Sequence, residues 1–316
     1  MNPSPLQDPA APLIFVINAA SGRSDADAKR AVIEQALQAA GRTGELLFTR
    51  PADLPRVARE AAATALATRS AVVAVGGDGT INAVAQAAHA AGCALGVVPL
   101  GTFNYFARTH GISTEPAQAA QMLMQAVPTP VQVGTVNGQV FLVNASLGLY
   151  PVLLEDRETY KARFGRSRWV ALGAAVMTLL RFHRQLHLQI DQGGVVRNVR
   201  TPTLFVGNNR LQLEQVGVNL SDHPARPLDD GQIAAVMLKP MGTLAMVGLM
   251  VRGAMGTLGE ADSVESFAFS RMVVQPRRRK IKVAFDGEVT RMRTPLEFRV
   301  AAQPLFLLKP AEGSRS

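Results

Sequence analysis

The chain of 316 residues is long enough for two domains, and its 47% hydrophobic and 18% charged residues are an ordinary globular composition. A net charge of +9 favours anionic partners such as a nucleotide or an anionic membrane surface. Aromatic residues make up only 5% of the chain and no helix-turn-helix pattern is present, so we expect no nucleic-acid partner. The single cysteine, Cys93, excludes an internal disulfide and fits a reduced, cytoplasmic protein.

No segment has the pattern of a signal peptide or a transmembrane helix. The apolar run at residues 13–17 is too short for a signal-peptide core. Apolar segments at residues 169–180 and 243–251 are shorter than the roughly 20 residues that a membrane span needs. We predict buried helices there, with a position on a membrane surface as the alternative.

The first part of the chain alternates strand and helix patterns. Short apolar runs near residues 13, 45, 71 and 95 predict strands, and Ala-rich segments between them predict helices. Up to about residue 130, this alternation predicts an α/β domain with a doubly wound parallel sheet. Sheets of this kind bind ligands at the carboxyl ends of their strands.

Strand patterns dominate from about residue 131 onward, with helical insertions predicted near residues 155–183 and 243–259. This pattern of many short strands predicts a second domain that is a mostly antiparallel β-sandwich. We place the linker at residues 128–130, because two prolines flank a threonine there. The predicted domains are therefore residues 1–130 and 131–304.

A glycine-rich loop follows the third predicted strand. Gly76, Gly77 and Gly79 surround Asp78, and a segment of helical composition follows from Ile81. Glycines allow a tight turn and close approach of a ligand to the backbone, and a helix N-terminus favours anions. A carboxylate in such a place fits Mg²⁺ binding or proton transfer. The pattern predicts a phosphate site, and an ordinary glycine turn with a surface aspartate is the alternative.

Two other motifs follow predicted strands. Gly101, Thr102 and Asn104 place polar groups at the predicted start of a helix, where capping or phosphate contact is common. Asp286 and Glu288 flank Gly287. In an extended backbone, both carboxylates would point to one side, and one could act as a base while the other orients it or binds metal. A plain hairpin turn is the alternative, and the motif alone favours it.

Taken in chain order, these motifs resemble the bacterial diacylglycerol kinase catalytic-domain family, lipid kinases related to the sphingosine kinases. Gly-Gly-Asp-Gly alone is shared with NAD kinases and phosphofructokinases, whereas the ordered set is specific. The set comprises residues 18–22, 49, 76–80, 99–104, 144–148, 228–231 and 286–288.

The resemblance implies an ATP-dependent kinase of a diacylglycerol-like lipid, with a role in phospholipid biosynthesis. It assigns the role of general base to Glu288, with Asp286 and Asp78 around the metal and the nucleophile. It implies nucleotide contacts for Asn18, Thr49, Gly76, Gly77, Asp78, Gly79, Thr80, Ile81, Asn82, Thr102 and Asn104.

The resemblance also implies a structural Mg²⁺, held by the Asp230 side chain and the backbone oxygens of Pro227 and Gln232. It implies that residues 305–316 pack on the first domain. Asn144 and Ser146 would either contact the nucleotide or hold a turn between the domains. A homodimer is a further expectation.

The basic run at residues 277–280 predicts peripheral contact with an anionic membrane, although such runs are usually solvated surface.

Three alternatives to a diacylglycerol kinase stay open. One is a kinase of ceramide, a sphingoid base or phosphatidylglycerol. Another is an NAD kinase, although no Asn-Glu pair follows the glycine loop. The third is a non-catalytic lipid-binding regulatory protein, which would have no need for Asp78, Asp286 and Glu288 together.

Overall fold

A computed structural model of the protein describes residues 8, 11–20, 26–149, 151, 152, 185–208, 231–242, 245, 248 and 264–310. The chain divides into two compact units. Unit 1 comprises residues 1–133 and 301–316, and unit 2 comprises residues 134–300. The sequence predicted divisions after residues 130 and 304.

Unit 1 contains six strands and five helices within the described residues. Its strands are β1 (Leu13–Asn18), β2 (Gly44–Thr49), β3 (Ala71–Gly76), β4 (Ala94–Pro99), β5 (Val127–Val131) and, from the end of the chain, β18 (Leu305–Lys309). Its helices are α1 (Ala26–Ala39), α2 (Leu54–Ala67), α3 (Asp78–Ala91), α4 (Tyr105–Thr109) and α5 (Pro116–Met124).

The six strands form one sheet in the order β2-β1-β3-β4-β18-β5. All neighbours in this sheet are parallel except β5, which runs antiparallel to β18. Helices α2 and α3 pack together, and α1 packs with α5. β3 and β4 are buried along their whole length, which explains their continuous apolar sequence. The doubly wound parallel sheet is thus confirmed.

The chain reverses its direction across this sheet between β1 and β3. From β1 it passes outward to β2, and it then returns across β1 to reach β3 and β4. The carboxyl ends of β1 and β3 lie side by side, because Ile17 pairs with Val75. Open α/β sheets bind ligands at such a reversal, so the strand ends carrying the predicted motifs meet where a ligand site is expected.

The linker predicted at residues 128–130 is wrong. These residues belong to β5, whose partner residues in β18 include Leu308 for Pro128 and Phe306 for Pro130. Proline in a sheet is confined mainly to edge strands, where its missing N–H does not interrupt the ladder. β5 is the edge strand of unit 1, so the two prolines are compatible with regular strand structure.

Unit 2 contains twelve strands within the described residues. They are β6 (Gly134–Val136), β7 (Gln139–Phe141), β8 (Asn144–Gly148), β9 (Leu186–Gln192), β10 (Val195–Thr201), β11 (Thr203–Gly207), β12 (Ile233–Leu238), β13 (Val264–Phe269), β14 (Arg271–Pro276), β15 (Lys280–Phe285), β16 (Glu288–Arg293) and β17 (Leu296–Val300).

These strands form two antiparallel sheets, in the orders β10-β9-β14-β17-β6-β7 and β13-β12-β11-β8-β15-β16. A single hydrophobic core takes side chains from both sheets, for example Met272 and Phe298 from one and Leu147 and Val283 from the other. Two sheets that share one core make a sandwich, and the predicted antiparallel sandwich is confirmed.

The helical insertion predicted near residues 155–183 lies outside the described residues. So does the one near residues 243–259, apart from residues 245 and 248. In the portion of the chain that is described, no helix is long and apolar enough to cross a bilayer.

Candidate active site

The glycine-rich loop joins β3 to α3 at the carboxyl end of the sheet of unit 1. Gly77 is the N-cap of α3, with φ −82° and ψ −178°, and no side chain caps the helix. The Gly77 backbone is extended, so a positive φ is not the reason for a glycine here. Gly76 and Gly79 also lack a positive φ. Because no side-chain hydrogen bond caps α3, its N-terminus keeps the partial positive charge that favours an anion.

Close packing explains why glycines stand in this loop. A Cβ on Gly76 would lie 2.5 Å from Thr80 Oγ1, a distance that real Cβ atoms do not adopt. A Cβ on Gly101 would lie 3.0 Å from Gly77 Cα and 2.7 Å from Asn104 Oδ1. The Leu100 N–H also donates to the Gly76 carbonyl at 2.8 Å. The loop after β3 and the loop after β4 therefore touch backbone to backbone.

Asn104 closes the second of these loops. Its Oδ1 accepts a hydrogen bond from the Gly101 N–H at 2.9 Å, and its Nδ2 donates to the Gly101 carbonyl at 3.0 Å. Asn104 is buried and its backbone is left-handed, with φ 51°. Its amide thus supports the loop, while Thr102 in the same loop is exposed.

The carboxylate of Asp78 joins α3 to the start of α4. Its Oδ2 accepts a hydrogen bond from the Asn104 N–H at 3.1 Å, and its Oδ1 accepts one from the Tyr105 N–H at 3.0 Å. Desolvation by burial raises the pKa of Asp78, and these two backbone hydrogen bonds partly oppose that rise. Asp78 therefore has a structural role in addition to the chemical role predicted from sequence.

The loop after β1 is attached to α3 from the other side. Asn18 Nδ2 donates to Thr80 Oγ1 at 3.1 Å, and Asn18 Oδ1 accepts from the Ala20 N–H at 3.0 Å. Thr49, at the end of β2, accepts the Ala19 N–H at its carbonyl oxygen, 3.0 Å away. Asn18, Thr49 and Thr80 thus lie near one another at the carboxyl end of the sheet.

Lys29 is a site residue that the sequence analysis missed. Its side chain reaches from α1 under the loop after β1, and Nζ donates to the carbonyl oxygens of Ala19 at 2.9 Å and Asn18 at 3.3 Å. Lys29 is only 3% exposed. A lysine so deeply buried is uncommon, and here it fixes the backbone that positions Asn18. One signal was available, since Lys29 stands four residues before Ile33, on the same buried side of α1.

Two further predicted nucleotide residues belong to the first turn of α3. Ile81 and Asn82 are both buried, and the Ile81 N–H donates to the Gly77 carbonyl at 3.0 Å. Gly79 is partly exposed in the same turn. Ile81 thus anchors the helix in the unit, and the polar opening of the site is formed by the turn that precedes it.

In unit 2, Asp286 and Gly287 form the two-residue turn that joins β15 to β16. Phe285 pairs with Glu288 across the turn, and φ is 47° at Asp286 and 87° at Gly287. Two successive positive φ values are typical of the tight turn that Asp-Gly sequences favour in hairpins. The extended backbone considered for this motif is wrong, and Asp286 and Glu288 do not lie side by side on one extended strand.

The carboxylate of Asp286 holds the segment between β7 and β8. It accepts the N–H groups of Leu142 at 2.7 Å, Val143 at 2.8 Å and Asn144 at 3.1 Å. In return, the Asp286 N–H donates to the Asn144 carbonyl at 2.9 Å. Asn208, also buried, donates its Nδ2 to the Leu142 carbonyl at 3.2 Å. Asp286 therefore fixes the backbone beside the hairpin turn.

Glu288 differs from Asp286 in its surroundings. It is the first residue of β16 and is exposed, and its carboxylate has no hydrogen-bond or ion-pair partner in the described portion of unit 2. The side chain keeps contact with solvent, but partial desolvation still raises the pKa of Glu288. A carboxylate that is accessible, unpaired and more basic than usual is suited to accept a proton.

Asn144 and Ser146 present polar atoms on one side of β8. Among the described residues, Asn144 Oδ1 and Ser146 Oγ are buried without a hydrogen-bond partner. Buried polar atoms usually find a partner, so these two mark a polar strip beside the Asp286 segment.

The predicted metal loop is described only in part. Pro227 and Asp230 lie outside the described residues, whereas Gln232 lies within them and is partly buried. The described residues contain no cluster of three or more His, Cys, Asp or Glu side chains that could hold a metal ion.

Comparison with known proteins places unit 1 in a family. Residues 12–136 match the profile of the diacylglycerol kinase catalytic domain. These residues belong to the diacylglycerol kinase catalytic-domain family. The resemblance predicted from the ordered motifs is thereby confirmed. The matched range contains every site residue described above for unit 1, from Asn18 to Asn104, and it also contains Lys29.

Individual relatives match the chain to different extents. The protein named "Diacylglycerol kinase" from Bacillus subtilis (strain 168) is 28% identical over 312 residues, which cover 94% of this chain and 96% of the relative. The protein named "Probable lipid kinase YegS-like" from Pseudomonas aeruginosa (strain UCBPP-PA14) is 40% identical over 124 residues. That alignment spans 38% of this chain and 40% of the relative's length.

Among solved structures, a diacylglycerol kinase from Bacillus anthracis str. Sterne has the same fold, with a TM-score of 0.68 and 20% identity. The match covers 94% of this chain and 96% of that one. Both units therefore have counterparts in this fold. The match to the diacylglycerol kinase catalytic domain covers residues 12–136, nearly all of them in unit 1, whereas Asp286 and Glu288 stand outside it.

Proposed function

We propose that the protein is a lipid kinase that transfers the γ-phosphate of ATP to a hydroxyl of a diacylglycerol-like lipid. One observation carries the proposal. In a diacylglycerol kinase catalytic domain, the uncapped N-terminus of α3 meets the loop after β4 in backbone contact at Gly77 and Gly101. Helix N-terminal N–H groups beside a glycine loop bind phosphate groups.

The nucleotide phosphates are proposed to lie against residues 76–82. On the side of β1, the hydrogen bond between Asn18 and Thr80 joins the loop after β1 to α3. Lys29 stabilises the same loop by donating to the Ala19 carbonyl. Phosphoryl transfer depends chiefly on positioning and on stabilising negative charge, so a rigid backbone cradle serves the reaction directly. The hydrogen bonds of Asn104 and Asp78 supply this rigidity on the other side.

Kinases of this type work with a divalent metal, and Mg²⁺ is the proposed ion. Asp78 fits it by chemistry, because each carboxylate oxygen accepts one backbone N–H and retains a lone pair for a hard cation or its water. When bound, the metal neutralises phosphate charge. The second, structural Mg²⁺ remains a proposal for Asp230 with the backbone oxygens of Pro227 and Gln232.

Glu288 is proposed as the general base for the attacking lipid hydroxyl. Its accessible carboxylate and raised pKa support this role. Asp286 is proposed to act beside it by holding the Leu142–Asn144 backbone rather than by moving a proton, since its carboxylate receives three backbone hydrogen bonds.

A lipid alcohol with acyl chains stays in the bilayer, so the enzyme is proposed to meet it at the membrane surface. The net charge of +9 supports attraction to an anionic leaflet. Salt screens such attraction, so vesicle binding is expected to fall as ionic strength rises.

The test is a transfer assay with purified protein, γ-labelled ATP and Mg²⁺. Diacylglycerol, monoacylglycerol, phosphatidylglycerol, ceramide, undecaprenol and NAD are offered separately, with the lipids dispersed in detergent and Glu288→Gln as the control enzyme. We expect label on diacylglycerol or a close analogue, and a strong loss in the control. Label on NAD would establish a NAD kinase instead. Nucleotide binding without label on any acceptor would favour a regulatory protein.

A further inference from the structure

The hairpin of β15 and β16 carries basic residues in facing pairs. The register places Lys280 opposite Arg293 and Lys282 opposite Arg291. Directly opposite side chains lie on one face of the sheet, where like charges repel each other and destabilise the pairing. Two successive pairs of this kind favour a neighbour or ligand of opposite charge.

These four side chains are on the outer face of the sandwich. The residues that alternate with them, Ile281, Val283 and Met292, belong to or pack against the hydrophobic core. Lys280, Arg291 and Arg293 are exposed. No ion pair neutralises these three within the described residues.

The basic run at residues 277–279 extends the same surface, and all three of its arginines are exposed. Thr294 holds this run against the end of β16, because its N–H donates to the Arg279 carbonyl at 3.1 Å and its Oγ1 donates to the Arg278 carbonyl at 2.8 Å. We call residues 277–280, Lys282, Arg291 and Arg293 the basic hairpin face. Residues 277–293 contain seven basic and two acidic side chains.

The other sheet of unit 2 offers a direct contrast. Arg271 and Arg299 also stand opposite each other, on β14 and β17. There, however, Arg271 Nε donates to Glu297 Oε1 at 2.7 Å, so an acidic neighbour compensates the repulsion. Within the described residues, no such compensation is found for Lys280, Arg291 and Arg293, which leaves these three side chains available to an external anion.

We infer that the basic hairpin face docks on the headgroups of an anionic phospholipid bilayer. Arg291 lies three residues from Glu288 in β16, about 10 Å along the strand and on the other face of the sheet, because side chains alternate. Docking through this face therefore holds β16, the strand that carries the proposed base, close to the bilayer surface. This inference rests on the proposed lipid kinase function.

A nucleic acid would offer phosphates as well, but the surface lacks the other requirement for binding one. Phe285 is the only aromatic residue between positions 277 and 293, and it packs against the core. No side chain on the basic hairpin face is therefore placed to stack on a base.

The test uses the full chain without nucleotide, sedimented with vesicles of phosphatidylglycerol and phosphatidylcholine or of phosphatidylcholine alone. The double variant Arg291→Gln, Arg293→Gln is compared with Arg271→Gln, Arg299→Gln, which removes the same charge from the same unit. We expect the wild type to bind only the anionic vesicles. The hairpin variant should bind them roughly tenfold more weakly, and the control variant should resemble the wild type.

Equal weakening in both variants would mean that net charge alone drives binding, and no weakening in either would remove the face from the interaction. Both results overturn the inference. So would tighter binding to duplex DNA than to anionic vesicles, with the same dependence on Arg291 and Arg293.

The hairpin variant should have a urea unfolding midpoint equal to that of the wild type or higher, because the substitutions relieve charge repulsion. Its activity on detergent-dispersed short-chain diacylglycerol should be unchanged. Since sedimentation needs no catalysis, failure of the kinase assay and failure of docking are separable.

Discussion

Asn18 and Thr80 are 62 positions apart in the chain, yet a hydrogen bond of 3.1 Å joins the Asn18 amide to the Thr80 hydroxyl. It ties the loop after β1 to the first turn of α3, across the point where the sheet reverses direction. This contact between side chains therefore joins the end of β1 to α3 in the wall of the proposed nucleotide site.

Thr80→Val should weaken ATP binding several-fold, because it removes the acceptor of the Asn18 amide while keeping the side-chain shape. Loss of one hydrogen bond of this kind also lowers the free energy of unfolding by about 1 kcal/mol. Isothermal titration calorimetry measures the affinity and urea unfolding the stability. Thr80→Ser keeps the hydroxyl and should behave as the wild type. Equal ATP affinity in the valine and serine variants would contradict the role of this contact.

Lys29→Met should lower both stability and ATP affinity, because two backbone carbonyls lose a buried cationic donor. The expected cost in unfolding free energy is about 1–3 kcal/mol. Arg30→Met is the matched control, since Arg30 is the next residue of α1 and its half-exposed side chain makes an ion pair with Glu34 and a cation–π contact with Phe48. That change should cost no more than about 1 kcal/mol. Similar losses in the two variants would show that Lys29 has no special position.

Gly77→Val should abolish measurable ATP binding. A Cβ at this position would lie 3.4 Å from Gly101 Cα, so the methyl groups of valine must enter the space between the two loops. The reason is crowding of the phosphate cradle, since the Gly77 backbone itself suits any residue. Ala90→Val, at the exposed far end of α3, adds similar bulk away from the cradle and should leave affinity unchanged. Unchanged affinity in the Gly77 variant would remove this loop from the phosphate site.

Regular hydrophobic patterns predicted most of the fold. The buried strands of unit 1 and strands such as β12 and β15 have continuous or alternating apolar residues, so their positions follow from sequence. Four strands of unit 2 were not predicted, namely β8, β13, β14 and β16. β16 is an edge strand with charged residues at Glu288, Arg291 and Arg293, and the burial of β13 does not alternate between its two faces. In such strands, tertiary pairing decides the structure more than local pattern does.

The sequence indicated candidate site residues but not their contacts. The carboxylates of Asp78 and Asp286 were visible in the sequence, whereas their backbone partners at residues 104, 105 and 142–144 depend on long-range folding. Lys29 was missed because a lysine in a helix is normally exposed. The misplaced linker at residues 128–130 has a similar cause, since proline marks loops in sequence but is also compatible with an edge strand.

Glu288→Gln should preserve ATP affinity and lower turnover by roughly 10²–10⁴-fold, the usual loss for a positioned base. In the wild type, activity should rise with pH through a pKa above 4.5, the ordinary glutamate value, because the base must be deprotonated and desolvation raises its pKa. A pH–rate profile measures this limb, which should be absent from the residual activity of the variant. Near-normal turnover in Glu288→Gln would assign the base to another residue.

The same raised pKa has a consequence for stability with a defined sign. Between the ordinary pKa and the raised one, the folded protein binds more protons at Glu288 than the unfolded chain does. The free energy of unfolding of the wild type should therefore fall, relative to that of Glu288→Gln, as pH rises through this interval. Urea unfolding at several pH values tests the sign, and a wild type that gains relative stability with rising pH would contradict it.

Asp286→Ala should destabilise unit 2, because the N–H groups of Leu142, Val143 and Asn144 lose their acceptor together. Leaving donors of this kind unsatisfied costs about 1–3 kcal/mol each where they are buried. Urea unfolding monitors the loss, and Glu288→Gln, two residues away, is the matched variant that should not show it. If Asp286→Ala unfolds as the wild type does but loses turnover, the carboxylate acts in chemistry instead of support.

The position of β18 between β4 and β5 makes unit 2 an insertion within the chain of unit 1. Gly134 and Val300, the first and last residues of unit 2, are register partners in β6 and β17, so the insert begins and ends at one point of its own sheet. A fragment of residues 134–300 therefore keeps its ends joined by native pairing and is suited to separate expression. A fragment ending at residue 133 would lack β18, and the edge of β4 would be left open to pairing with other chains. Dissection of this protein thus requires residues 301–310 to be rejoined to the first 133 by a short linker.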